Sequence, residues 1–70
     1  MREWLVNARK AQNITQGALA SRVGVTRQMV TAIEIGVATP SVKVAKAIAE
    51  VLGIGWTSFF EDNTTEVSSQ

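Results

Sequence analysis

The sequence predicts an all-α domain of five short helices. Three observations carry this: apolar residues recur at three- and four-residue spacing, the segments are punctuated by Asn13, Gly24, Gly36 and Gly53, and Thr15 and Thr26 stand where a helix start needs a side-chain oxygen. The 70 residues, 46% apolar and 19% charged, suit one small globular domain. The length excludes a doubly wound dinucleotide-binding fold or a barrel.

The first helix spans residues 2–12, with Leu5, Ala8 and Gln12 on one face and Trp4 and Ala11 flanking it. Asn13 tolerates the left-handed conformation that ends a helix, and Ile14 returns an apolar side chain to the core. Thr15 opens the second helix, whose inward stripe is Leu19, Ala20 and Val23. Gly24 makes the corner, because glycine alone turns left-handed without steric cost. Val25 plugs the turn and Thr26 caps the third helix, Arg27 to Ile35. Val30 and Ile33 point inward there, and Arg27, Gln28, Thr31 and Ala32 outward.

Gly36 breaks the pattern and residues 37–40 form a loop. Pro40 before Ser41 suits entry into the fourth helix, Ser41 to Leu52, with Val42, Ala45, Ile48, Ala49 and Leu52 inward. Gly53 closes it, Ile54 folds back, and residues 56–60 make one or two further turns. Residues 1–60 are thus the folded domain. Residues 61–70, polar and without a period, read as a flexible tail.

Charge and composition narrow the chemistry. The net charge is only +1, but residues 1–46 hold all seven basic groups with Glu3 and Glu34, a net of +5, and the remainder holds four acids and no base. The larger part is suited to face a polyanion and the end of the chain is not. With no cysteine and no histidine, disulfides, thiolate metal sites and imidazole acid–base chemistry are excluded. Serines, threonines and carboxylates form no visible triad or metal cluster, so neither an enzyme nor a cofactor is expected. The apolar runs fall well short of the ~20 residues that span a bilayer. Met1-Arg2-Glu3 opens no apolar signal region, so a cytoplasmic protein without membrane contact is expected.

The central pair, Thr15-Gln16-x-x-Leu19-Ala20-x-x-x-Gly24-Val25-Thr26-x-x-x-Val30-x-x-Ile33-Glu34, reads as two helices joined by a tight turn. Ala20 allows close approach, and Val25 and Val30 fill the angle. This is a helix-turn-helix arrangement. Together with Arg27-Gln28, Gly36, Pro40-Ser41 and Ile48-Ala49-x-x-Leu52-Gly53-Ile54, it resembles the helix-turn-helix family of phage repressors and Cro proteins and the small controllers related to them. The resemblance covers about residues 2–60. It implies a compact five-helix lambda-repressor-like domain that binds double-stranded DNA as a homodimer, a transcriptional regulator of repressor type on a palindromic operator.

The resemblance also implies roles. Gln16 would bond a phosphate and brace the recognition helix. Gln28 can pair with adenine or, less fully, guanine, and Arg27 can reach guanine or a phosphate. Met29 can touch a thymine methyl or pack against the fourth helix. Thr31 can meet a phosphate or a base edge, and Ala32 can approach a thymine methyl. Thr26, the amides near Gly36, and Ser41 and Lys43 at the start of the fourth helix complete the expected DNA-binding set. Arg9 and Glu34 match the family's partly buried structural ion pair. Trp56, Phe59 and Phe60 are expected to divide between the core and a dimer seam.

One stretch departs from the family. Glu34-Ile35-Gly36-Val37-Ala38-Thr39 lacks the usual asparagine and basic loop. Ile35 cannot make the polar phosphate contact, and Val37 and Ala38 bring no charge, which lowers the electrostatic share of binding. The alternative is that these residues form a patch for a regulatory protein partner, with the chain acting as an antitoxin-like or antirepressor-like module of the same fold.

Overall fold

The computed structural model describes residues 1–60, and the expected tail at 61–70 lies outside them. Four helices follow in order: α1 (Glu3–Ala11), α2 (Gln16–Val23), α3 (Arg27–Ile35) and α4 (Val42–Leu52). Residues 58–60 begin a fifth helix, α5. The fold is the all-α, helix-turn-helix-containing architecture that the sequence predicts, consistent with a lambda-repressor-like domain. α2 packs against both α3 and α4, and α1 packs against α3.

The caps explain why the helices start and stop there. Thr15 accepts from the Ala18 amide at 3.0 Å and Thr26 from the Met29 amide at 3.1 Å. Ser41 does the same for Val44 at 3.2 Å, so α4 begins one residue later than expected, with Ser41 as its cap. Asn13 has φ of 57° after α1. Gly24, at φ 87°, ends α2 and donates its amide to the Ala20 carbonyl, which sets the sharp α2–α3 corner. A residue with a Cβ would be strained there.

The core is Leu5, Leu19, Ala20, Val30, Ile33, Ala45, Ile48, Leu52 and Phe59, with Ile14, Val23, Val25 and Ile54 packed against it. Trp4 meets Phe59 edge to face, with ring centroids 5.1 Å apart. Two positions differ from the sequence expectation. Val42 is 48% exposed, because burial along α4 begins only at Ala45 and Val44 packs against the core instead. Gln12 is exposed, and its carboxamide Nε2 donates to the Leu52 carbonyl at 3.4 Å rather than facing the core.

Two arginines leave the surface. Arg9 Nε lies 2.6 Å from Glu34 Oε2, and the side chains are 12% and 3% exposed. Arg9 Nη1 also donates to the Ile14 carbonyl at 2.9 Å, so the guanidinium fastens the end of α1 as well. Arg2, counted by the sequence among the charges available to a polyanion, is only 8% exposed. Its Nη1 donates to the carbonyls of Ile33, at 2.6 Å, and Ala38, at 3.0 Å. Its backbone amide donates to the Glu34 carbonyl at 2.7 Å. α3 has no basic residue in its last turn. Arg2 supplies from the chain's start the cation and the donors that the negative end of that helix lacks.

Two stability predictions follow from these contacts. Arg2→Ala strands two carbonyls and should cost ~1.5–3 kcal/mol, the worth of hydrogen bonds to a charged group. Glu34→Ala leaves Arg9 buried and unpaired and should cost ~3–5 kcal/mol. Urea unfolding followed by circular dichroism checks both, and Glu34→Ala should be the more damaging.

Candidate nucleic-acid interface

Beneath the outer face of α3 lies a chain of polar contacts. Gln16, the first residue of α2, is half-buried. Its Nε2 donates to Glu34 Oε1 at 2.8 Å and its Oε1 accepts from the Thr31 hydroxyl at 2.9 Å. A carboxylate can only accept, so the amide nitrogen must face Glu34 and the amide oxygen must face Thr31. Glutamate at position 16 would set two carboxylates against each other. The bracing of α3 that the resemblance assigns to Gln16 is therefore present, and one N–H of the carboxamide is left over.

Thr31 is drawn into the brace. Its Oγ1 lies within bonding distance of Gln16 Oε1 and, at 3.1 Å, of the Arg27 carbonyl. A hydroxyl has one proton, so Thr31 is engaged within the chain and keeps only acceptor capacity for anything outside.

Arg27 and Gln28 are exposed in the first turn of α3. Met29 is 42% exposed and so retains a free apolar surface. Ala32 is half-buried further along. Thr26 uses its hydroxyl as the cap of α3. Gly36 ends α3 at φ 100°, close to the backbone of Met1. Ser41 and Lys43 are exposed at the start of α4.

Two concavities flank this surface. One is lined by Arg27, Gln28, Thr31, Ala32, Ile35 and Val37. The other is lined by Arg9, Thr15, Gln16, Gly17 and Arg27, at the N-terminal end of α2. Arg27 stands between the two. The second joins a guanidinium and a helix N-terminus, both favourable to an anion. Among the described residues no three His, Cys, Asp or Glu side chains come together to hold a metal ion. No described helix is long and apolar enough to cross a membrane.

The three aromatics near the end of the domain separate. Phe59 has no exposed surface and belongs wholly to the core, so it offers nothing to a seam. Trp56 and Phe60 are half-buried and meet edge to face at 5.9 Å. Lys46 Nζ sits 5.0 Å from the Trp56 ring centroid, a cation–π contact that local sequence does not reveal. Arg2 is the other contributor that sequence reasoning misses. Its partners lie 31 and 36 residues away, and no nearby motif marks it.

Comparison with known proteins agrees with this geometry. A helix-turn-helix family model matches residues 5–59. An uncharacterised HTH-type transcriptional regulator of Bacillus subtilis, YqaF, is 44% identical over 94% of this chain and 87% of its own length. Two archaeal proteins also described as uncharacterised HTH-type transcriptional regulators are similar. That of Methanothermobacter thermautotrophicus is 47% identical over 76% of this chain and 77% of its own. That of Methanocaldococcus jannaschii is 43% identical over 77% and 82%. No solved structure matches at a significant level. With the α2–α3 corner, its caps and its core all in the matched span, the chain belongs to the helix-turn-helix family.

Proposed function

We propose that this chain regulates transcription by binding double-stranded DNA sequence-specifically, as a homodimer on a palindromic operator and in the manner of a repressor. The observation that carries the reading is the outer face of α3. Arg27, Gln28 and Met29 stand exposed on a helix whose inner side is held by Gln16, Glu34 and Arg9. A rigid helix with exposed base-reading side chains in its first turn is what the major groove accepts. The relatives, described as HTH-type transcriptional regulators, support the same reading.

In the binding mode that follows, α3 enters the major groove and Gln28 pairs with a base edge. Arg27 contacts a base or a phosphate. The leftover N–H of Gln16, the amides near Gly36, and Ser41 with Lys43 position the backbone. The mechanism is occupancy, with no chemical step. Burial of Arg2 and Arg9 removes two cations from phosphate contact, so neutralisation falls mainly to the exposed ones, Arg27 and Lys43 foremost. The dimer seam forms around Trp56 and Phe60.

A second reading has its own observation. Ile35 is 50% and Val37 78% exposed, which would suit a protein partner in an antitoxin-like or antirepressor-like role. Titration of fluorescent duplexes at several salt concentrations separates the two. A regulator binds with a steep salt dependence, and a partner module shows no DNA affinity.

If Gln28 reads a base, Gln28→Ala should narrow the gap between operator and scrambled duplex by ~1–3 kcal/mol. An unchanged ratio excludes Gln28 as a reader. Phe60→Asp should give a monomer in sedimentation and lose full-site binding. Wild-type footprints should show two half-sites ~34 Å apart, one turn of B-DNA. Protection of a single half-site at saturation would refute the dimer.

A further inference from the structure

Gln28, Ala32 and Ile35 follow one another on α3 at four- and three-residue spacing, so their side chains form one row. That row, with Val37 beyond Gly36, lines a single groove together with Arg27 and Thr31. The groove is chemically graded. One end carries the donors of Arg27 and Gln28. The other carries only the hydrocarbon of Ala32, Ile35 and Val37, and Ile35 and Val37 are 50% and 78% exposed.

A phosphate gains nothing from hydrocarbon, so the apolar end is unsuited to the DNA backbone. The major-groove edge presents one kind of apolar group, the C5 methyl of thymine. We infer that Ala32, Ile35 and Val37 form an apolar wall that reads thymine methyls in the same half-site where Gln28 reads its base. This rests on the DNA-binding reading proposed above and specifies it. Ile35 lies seven residues beyond Gln28, about 10 Å along the helix axis. That is about three base-pair steps at ~3.4 Å each. The half-site therefore carries thymines within about three base pairs of the base that Gln28 reads. Continuity with Arg27 and Gln28 in one groove favours DNA over a protein as the occupant.

The test begins with duplexes selected by the full chain from a random pool. The winning duplex is resynthesised with each thymine replaced in turn by uracil, which removes the methyl and leaves base pairing intact. Affinity should fall about fourfold for each methyl read, the equivalent of ~0.8 kcal/mol per buried carbon. In Ile35→Ala and Val37→Ala the penalty at the matching thymine should shrink. Both positions are exposed, so both variants should fold, which circular dichroism verifies. Indifference to every thymine methyl overturns the inference while leaving DNA binding standing. Indifference together with unchanged DNA affinity in both variants assigns the patch to a protein partner and also overturns it. Failure to enrich any duplex overturns the DNA-binding reading itself.

Discussion

The carboxylate of Glu34 is the point on which the helices converge. It sits at the end of α3, 2% exposed. Its Oε2 receives Arg9 from α1, its Oε1 receives Gln16 from α2, and its backbone carbonyl receives the Arg2 amide. A buried carboxylate is tolerable only when charge and lone pairs are matched. Matching them here requires α1, α2 and the start of the chain to hold fixed positions about α3. The apolar core supplies most of the driving force for collapse, and this network selects one arrangement of helices within it.

The division of labour on α3 follows from that arrangement. Its inner positions go to packing through Val30 and Ile33 and to pairing through Glu34. Thr31 lies between the faces and gives its proton to the brace. What remains outward is Arg27, Gln28, Met29, Ala32 and Ile35, a strip with a cation, an amide and hydrocarbon in sequence. Rigid support beneath such a strip matters because recognition by side chains is lost if the helix can tilt or slide. The cations of Arg2 and Arg9 are drawn into this support. The part of the chain rich in basic residues thus devotes two of them to architecture, and apolar contact gains weight in the specificity of the surface.

The helices and their limits are legible in the sequence because they depend on chemistry within four residues. Thr15 and Thr26 cap the amides three positions ahead, and Asn13 and Gly24 reverse the chain in the left-handed region. The α2–α3 corner follows from the same local rules, with Ala20 and Val30 in the core where their spacing puts them. Val42 shows where periodicity fails. A stripe read from spacing has no natural end, and where burial starts is decided by what packs opposite.

The sequence by itself therefore determined the fold class, the corner and the strip that α3 turns outward, since each depends on neighbours along the chain. Tertiary structure alone decided the uses of Arg2, Gln16, Thr31 and the terminal aromatics. Arg2 meets carbonyls 31 and 36 residues away, Gln16 and Glu34 are 18 apart, and Gln16 and Thr31 are 15 apart. Phe59 is in the core because Trp4 and its neighbours close over it, while Trp56 and Phe60 stay at the edge. A side chain's charge or ring states which interactions it can make. Which of them it makes depends on the groups that folding brings within about 3–5 Å, and local spacing carries no record of those.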